Sequence, residues 1–332
     1  MSIIWEPCAA GVRVLRVLGD SPCPAVPETV EGLPVTEIGP YCFADKPVKA
    51  GARRSGADTH EITGNFVEEV TLPDTVRTLH SAAFYNCRRL RRLSLGAGVE
   101  GLGSDLFTNC RSLAQLCLRA APDAPTGLKK LLGAISADIT AEFDGARLFY
   151  PEYSEFLDEN TPAHIFNHNI EGEGYRMRQC FTAAGAVDYA AFDASFAQAC
   201  VGEGEGALCR LALGRLVLPF ALGGQARADY EFYLRAHPAA AFRLAIDTRD
   251  EAALRLLVGL GLPTAEAAAY CARAGIGCEI FVPEGTSPKK IDMIRAHGAV
   301  CTVVPGTRDH CADVCRAKVE QEGVYYANHV YN

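Results

Sequence analysis

The chain lacks the marks of an exported or membrane-embedded protein. Met1–Ala10 has no basic start followed by an apolar core, so we expect no signal peptide. No apolar run approaches the roughly 18 residues that a bilayer-spanning helix needs. A basic excess is also absent: the net charge is −8, which argues against nucleic acid because phosphate binding needs clustered lysines and arginines. We therefore expect a cytoplasmic protein that binds neither membranes nor nucleic acid.

Signatures of metal binding and of disulfide frameworks are missing as well. The 14 cysteines include no CxxC pair, and in a cytoplasmic protein we interpret them as reduced, small core residues. Cys311 and Cys315 could share a helix face with His310, but three such ligands fall short of a tetrahedral site. His164 and His168 lack the glutamate of an HExxH motif, so we interpret them as surface residues. We expect no metal.

The strongest pattern that is present is a repeat of 23 residues. This offset aligns nine positions, which pair as Leu72 with Leu95, Val76 with Val99, Leu79 with Leu102, Phe84 with Phe107, Asn86 with Asn109, Cys87 with Cys110, Leu90 with Leu113, Leu93 with Leu116, and Leu95 with Leu118. A further unit, 35–43, matches 76–84 at an offset of 41. The excess of 18 residues predicts an exposed polar insertion at 46–65.

The spacing within one unit predicts its local structure. In LxxLxL the last two leucines alternate as in a strand. Phe84 and Cys87 are three residues apart, which predicts one turn of a short helix. One such strand and turn cannot bury its apolar side chains, but stacked copies can, so the repeat predicts a solenoid. The cysteine and asparagine at the turn are suited to filling space and bonding loop backbone groups.

These units resemble a known family. The segments VPETVEGLPVTEIGPYCF, VEEVTLPDTVRTLHSAAFYNCRRLRRLSL and LFTNCRSLAQLCL are similar to BspA-type leucine-rich repeats, over about residues 12–118. The resemblance implies a surface for ligand binding or adhesion and no catalytic chemistry. The chain departs from the family at GAGVEGLG, which replaces the usual proline-containing turn. The same stretch satisfies GxGxxG at Gly96, Gly98 and Gly101, but another short repeat turn follows where a dinucleotide site needs a helix.

Exposed strand positions of the repeats predict a candidate interaction surface for a protein partner. Its members are Glu68, Glu69, Thr71, Arg91, Arg92, Ser94 and Gln115. The alternative, which we favour, is that stacking at 23 residues sets Glu68 beside Arg91 and Glu69 beside Arg92 as neutralised pairs.

Beyond residue 120 the repeat is lost and helical patterns follow. Apolar spacing and proline or glycine breaks predict packed antiparallel helices at Ala207–Val217, Ala226–Ala236, Ala239–Ile246 and Glu251–Leu260. The last two resemble a helical-repeat pair of the ankyrin or HEAT kind.

The last segment predicts strands at Cys278–Pro283, Ala299–Val304 and Val324–Asn328, with helices at Lys289–His297 and Asp309–Gln321. This order is typical of a parallel βαβαβ unit. The sequence of about residues 269–332 resembles the interior of fold-type-II pyridoxal-phosphate enzymes. The resemblance lies in AYCARAGIGCEIFVPEGTSPKKIDMIRAHGAVCTVVPGTRDH and in QEGVYYANHVYN after it. Threonine synthase, cysteine synthase and threonine dehydratase belong to that family.

The resemblance implies a Schiff-base lysine, a substrate loop and a phosphate loop, and the chain matches none of them. Lys289 and Lys290 correspond to no catalytic position. We therefore expect an incomplete unit, either part of a hybrid chain, which we favour, or a retained packing module.

The sequence as a whole predicts a multidomain α+β protein. We place a leucine-rich-repeat solenoid at 1–120, a mainly helical region at 121–268 and a partial α/β unit at 269–332. The predicted function is non-catalytic interaction with a protein partner, without a cofactor and with a small-molecule substrate not expected. Two alternatives stay open: a pyridoxal-phosphate-dependent lyase or synthase, and a structural helical-repeat scaffold.

Overall fold

The computed structural model describes residues 1–48, 51–160, 164–262, 277–296 and 298–322. These residues form two compact units. The first comprises the described residues of Met1–Glu203 together with Leu218–Leu222, and the second comprises Gly204–Val217 and the described residues from Gly223 onward. The chain thus mixes α and β structure, as its sequence predicts.

Two sheets of the repeats dominate the first unit. Its strands are β1 (Ser2–Cys8), β2 (Gly11–Leu18), β3 (Thr29–Val30), β4 (Leu33–Ile38), β5 (Arg53–Ser55), β6 (Glu69–Thr71), β7 (Thr78–Leu79), β8 (Arg92–Gly96), β9 (Gly101–Leu102), β10 (Gln115–Arg119), β11 (Ile139–Phe143), β12 (Ala146–Tyr150), β13 (Ser154–Asn160) and β14 (Ile165–Glu171). Within the described residues, one sheet has the order β5-β1-β2-β4-β7-β9, with β3 beside β4. The other has the order β12-β11-β10-β8-β6, and β13 pairs with β14 alone.

The 23-residue offset sets the register of both sheets. In β6, β8 and β10, which are parallel, Val70 lies opposite Leu93 and Leu93 lies opposite Leu116. The turns of the repeats bury an aromatic column: the ring of Phe84 stacks on Phe43 at 5.1 Å and on Phe107 at 5.6 Å, measured between ring centroids. Phe84 is fully buried and Phe107 is 8% exposed, so their predicted equivalence as core residues is confirmed.

The segment between the two strands of a repeat is a series of turns, and the predicted short helix is wrong. Ala82 and Asn86 have positive φ angles of 56° and 61°, which interrupt a right-handed helix. Their amides bond to the next repeat instead of to their own turn, with Ala82 N donating to Ser104 O at 2.9 Å and Asn86 N donating to Thr108 O at 3.0 Å. Stacking therefore supplies the hydrogen bonds that a helix would have made internally.

The segment 46–65 is only partly the exposed insertion that the sequence predicts. Its strand β5 pairs antiparallel with β1, and Ile62, which is fully buried, donates from its amide to Val17 O at 3.0 Å. Arg16 is 1% exposed and its guanidinium donates to Ala44 O at 2.5 Å and to Lys46 O. The part that the sequence did not predict is this pairing, in which the segment covers an edge of the sheet that would otherwise present unpaired backbone groups.

The sheet of β6, β8 and β10 continues where the sequence repeat has ended. After helix α1 (Leu128–Gly133), strand β11 adds parallel to β10 and β12 adds antiparallel to β11. The region 121–268, expected to be mainly helical, therefore also contains the four strands β11 to β14. Its short helices α2 (Gly174–Met177), α3 (Tyr189–Ala194) and α4 (Phe196–Gly202) follow the β13–β14 hairpin.

The second unit begins with four helices at the predicted places. They are α5 (Glu205–Val217), α6 (Gly224–Ala236), α7 (Pro238–Asp247) and α8 (Glu251–Gly259). Asp250 caps α8 by accepting a hydrogen bond from Ala253 N at 3.0 Å.

The rest of the described second unit alternates strands and helices as predicted. Its elements are β15 (Glu279–Pro283), α9 (Pro288–Ala296), β16 (Val300–Val304) and α10 (Arg308–Glu322), and β15 and β16 are parallel. The predicted third strand at Val324–Asn328 lies outside the described residues. Among the helices of the described ranges, none combines the length and apolar character that crossing a bilayer requires.

Candidate functional site

The candidate surface lies on one face of the five-stranded sheet. Side chains alternate along each strand, so Leu93 and Leu95 are buried while Arg92 and Ser94 point the other way. The register places these outward positions in two rows. We call the set the polar face: Glu69, Arg92 and Gln115 form its first row, and Thr71, Ser94 and Cys117 form its second. Glu68 and Arg91, which lie directly before β6 and β8, also belong to the polar face.

The charged side chains of the polar face pair across the strands as the repeat spacing predicts. Arg91 donates to Glu68 Oε2 at 2.8 Å, and Arg89 also contacts Glu68. Arg92 lies 3.9 Å from the Glu69 carboxylate. The pairs of Glu68 with Arg91 and of Glu69 with Arg92 are therefore confirmed.

The structure extends this row beyond the residues found in the sequence. Arg92 Nε donates to Gln115 Oε1 at 2.9 Å, and Gln115 Nε2 donates to Glu142 Oε2 at 3.1 Å. Arg147 Nε donates to the same carboxylate oxygen at 3.3 Å. Glu142 and Arg147 escaped the sequence analysis because they lie on β11 and β12, beyond the last residue that obeys the repeat.

The thiols on and beneath the polar face are not poised as nucleophiles. Burial is the largest cause that raises the pKa of Cys117, and it outweighs the opposing effects of Arg92 and Ser94. Burial also raises the pKa of Cys110 to about 12. Because the thiolate is the reactive form, neither thiol is activated at neutral pH.

The glycines of the GxGxxG match serve close packing between repeats. A Cβ atom at Gly96 would lie 2.8 Å from the Cα of Asp74, and one at Gly98 would lie 2.3 Å from the Arg77 guanidinium. The element that begins at Gly101 is the two-residue strand β9. A helix N-terminus does not follow, so this stretch lacks the geometry of a dinucleotide loop.

Two histidines considered as metal ligands each lie against a glutamate. His164 Nδ1 is 2.6 Å from a Glu159 oxygen and His168 Nε2 is 3.0 Å from a Glu155 oxygen, both on the β13–β14 hairpin. Cys311 is buried on α10. No cluster of three or more His, Cys, Asp or Glu side chains suited to a metal occurs in the part of the chain that the structure describes.

A cavity of about 400 Å³ near the base of the hairpin is lined by Lys129, Tyr153 and Tyr175, among others. The guanidinium beneath it belongs to Arg178, which is 2% exposed. That group donates to four backbone carbonyl oxygens, those of Ile135, Ala137, Pro151 and Gly174. Burial lowers the pKa of Arg178 to about 10, so the group stays charged at neutral pH, and its donors hold the fold together.

Comparisons with known proteins bear out both resemblances. Residues 63–123 match the family described as a BspA type leucine rich repeat region, and residues 264–332 match the family described as a pyridoxal-phosphate dependent enzyme. The crystal structure of the T. pallidum leucine rich repeat protein has 20% sequence identity and a TM-score of 0.25, over 37% of this chain and 49% of that one. At that TM-score the match carries no argument.

A similar curated protein is the threonine synthase of Halalkalibacterium halodurans. It is 31% identical over 109 residues, which cover 30% of this chain. The chain spans 31% of the length of that enzyme. The similarity is thus to a part of a pyridoxal-phosphate enzyme.

The described residues of this segment do not fit pyridoxal phosphate. The cofactor needs a lysine for its Schiff base, positioned near a loop that holds its phosphate. Lys289 and Lys290 are exposed at the start of α9. Lys318 Nζ donates to Glu279 Oε2 at 2.6 Å, so its ammonium is held by a carboxylate.

Proposed function

We propose that this chain is a non-catalytic interaction protein whose polar face binds a protein partner. The seven residues of the proposed surface are Glu68, Glu69, Thr71, Arg91, Arg92, Ser94 and Gln115. The observation that carries the proposal is that the two arginines of this face stay exposed although they pair with Glu68 and Glu69. It is supported by the match to BspA-type repeats, which implies a binding surface.

The partner chemistry follows from the arginines. The side chains of Arg91 and Arg92 are 59% and 46% exposed. An arginine carries five N–H donors, and the contacts within the face use few of them. The remaining donors are suited to carboxylates, which guanidinium groups bind in a two-pronged geometry. We therefore propose a partner that presents acidic side chains to Arg91 and Arg92.

The experiment compares two charge-reversed forms of the full chain as baits in extracts of cells that express it. Arg91→Glu/Arg92→Glu changes the polar face, and Arg88→Glu/Arg111→Glu makes the same charge change at exposed positions outside the strands. A protein that binds the native chain and the control, but is lost from the polar-face variant by quantitative mass spectrometry, supports the proposal. Equal capture by both variants contradicts it, and the face then serves only to neutralise charge.

A second candidate is suggested by the match at 264–332 to pyridoxal-phosphate enzymes. It is tested by an absorbance scan of the full chain with added pyridoxal phosphate. An internal aldimine band at about 410–430 nm, fixed on one lysine by borohydride, favours the enzyme. Absence of the band supports our proposal that the segment is an incomplete α/β unit without a cofactor.

The remaining parts of the proposal concern organisation and location. We propose a repeat solenoid at 1–120, a helical region at 121–268 and a partial α/β unit at 269–332. The location we propose is the cytoplasm, because the cysteines of the described residues are free thiols, the state that a reducing compartment maintains. Limited proteolysis tests the later boundary, with a cut expected near 268; no cut is expected near 120, because β10 and β11 on either side of it belong to one sheet.

A further inference from the structure

The β13–β14 hairpin presents two open strand edges. Residues 154–160 pair with residues 165–171 in an unbroken antiparallel register, and within the described residues neither strand pairs with any other. A two-stranded sheet is marginally stable in water, and a third strand or a covering surface is what normally stabilises it. The hairpin therefore has unpaired backbone groups that can bind another strand, and an added strand would stabilise it.

One face of the hairpin combines apolar and acidic side chains. Opposed residues of an antiparallel pair share a face, so the register groups six residues that we call the hairpin face: Glu155, Leu157 and Glu159 of β13, and Phe166, His168 and Ile170 of β14. Leu157 is 68% exposed and Phe166 is 63% exposed. The opposite face carries Asp158, Asn167 and Asn169 together with Phe156, which is 38% exposed. The two most exposed apolar side chains of the hairpin, Leu157 and Phe166, therefore lie on the hairpin face.

The charge around this face is strongly one-sided. Residues 151–175 contain six Asp or Glu and no Lys or Arg, so they account for −6 of the net charge of −8. His168 and His164 lie against Glu155 and Glu159 and offset this charge only when they are protonated. A second copy of the same hairpin would bring like charges together, whereas a basic segment would neutralise them.

We infer that the edge of β13 binds an extended segment of a partner protein in which basic and apolar residues alternate. The added strand places basic side chains beside Glu155 and Glu159 and an apolar side chain beside Leu157. Backbone hydrogen bonds along the edge supply affinity, and the alternating side chains supply selectivity. This surface is separate from the polar face, and the two inferences stand independently.

The test uses the full chain and a fluorescent peptide, Thr-Lys-Thr-Ile-Thr-Lys-Thr, with a second peptide that has Glu in place of Lys. Fluorescence anisotropy should show binding of the Lys peptide and not of the Glu peptide. Glu159→Lys should weaken binding about tenfold, because an attractive cross-strand pair becomes repulsive. The matched control is Asp158→Lys, which makes the same charge change at the neighbouring residue on the opposite face, and its affinity should stay within about twofold.

Two further measurements separate strand addition from simple charge attraction. Glu155→Lys/Glu159→Lys should bind the Glu peptide in preference to the Lys peptide, which shows that the variant hairpin is still folded. Two N-methylated forms of the Lys peptide are compared, one methylated at the odd-numbered amides and one at the even-numbered amides. One of the two should lose binding, because only every second amide of an added strand donates to β13.

Three results would overturn the inference. Equal weakening by Glu159→Lys and Asp158→Lys would indicate unspecific attraction to the acidic segment. Full binding of both N-methylated peptides would exclude strand addition. Concentration-dependent dimers of the native chain that are lost on Leu157→Ser would identify a second copy as the occupant.

Discussion

The Cys110 thiol donates a hydrogen bond to the backbone carbonyl oxygen of Phe84, one repeat upstream, with 2.9 Å between sulfur and oxygen. Cys87 makes the same contact with Phe43 O at 3.2 Å. A buried cysteine at this position satisfies a loop carbonyl and fills the space beside the aromatic column. The predicted role of the repeated thiol is therefore confirmed, and it explains why each turn carries a small, weak donor.

The aromatic column gives the first prediction. Phe84→Ala should lower the free energy of unfolding by about 3–5 kcal/mol, because the ring is fully buried between two others. Phe107→Ala should cost somewhat less, since one side of its ring is partly exposed. Denaturant melts measure both, with Phe166→Ala, at a 63% exposed ring, as the control. A loss below about 1 kcal/mol at both buried sites would contradict the stacked repeats.

The segment 46–65 gives the second prediction. Deleting it should leave a chain that aggregates or unfolds at much lower denaturant, because β1 loses its partner strand and Ile62 leaves the core. The control inserts the three residues Gly-Ser-Gly after the exposed Gly51. This insertion should lower the free energy of unfolding by less than about 0.5 kcal/mol. A deletion variant as stable as the native chain would show that the pairing of β5 is dispensable.

The third prediction concerns acid stability and rests on Glu37. Burial would raise the pKa of its carboxyl, but hydrogen bonds from His80 and Arg13 outweigh it and hold the pKa below the usual 4.5. A carboxyl with a lowered pKa stabilises the fold above its ordinary pKa and loses that contribution as pH falls through the lowered value. Glu37→Gln should therefore be less stable than the native chain at pH 7, and the difference should shrink as the pH falls below 4.5 and vanish below the lowered pKa. A difference that is constant in pH would exclude this linkage.

The fourth prediction concerns thiol reactivity. Cys23 and Cys200 are exposed, whereas Cys42 and Cys209 are buried and burial raises the pKa of each to about 12. Iodoacetamide at neutral pH should label the exposed pair in the native chain and all four only after unfolding. Peptide mass spectrometry reads the sites. Labelling of Cys42 as fast as Cys23 would show that the repeat core opens readily.

The fifth prediction concerns the polar face. Arg92→Ala should change the free energy of unfolding by less than about 1 kcal/mol, because its side chain is 46% exposed and exposed ion pairs contribute little. Thermal melts of Arg92→Ala beside the native chain measure this. A larger loss would mean that the row of paired side chains holds the sheet together, and binding defects of variants at this position would then reflect unfolding.

The sequence by itself determined the repeats. The 23-residue offset places Leu93 beside Leu116 and Glu68 beside Arg91, because parallel strands of equal units stack in equal register. Apolar spacing with proline and glycine breaks predicted the helices from α5 to α8 to within two residues. Local sequence and an internal repeat are sufficient to predict such features, since each repeat unit packs against a neighbour of the same length and pattern.

Only the tertiary structure decided what depends on partners distant in the chain and outside the repeat. His80 meets Glu37, 43 residues away, β5 pairs with β1, and β11 extends the repeat sheet without sharing its sequence period. In the turn at Phe84, the amides of Ala82, Phe84 and Asn86 likewise donate to carbonyl oxygens of the following repeat, which no local spacing specifies. A segment makes such a contact when the folded chain brings it near an unpaired strand edge or a buried polar group. Which edges and groups it can reach depends on the tertiary structure.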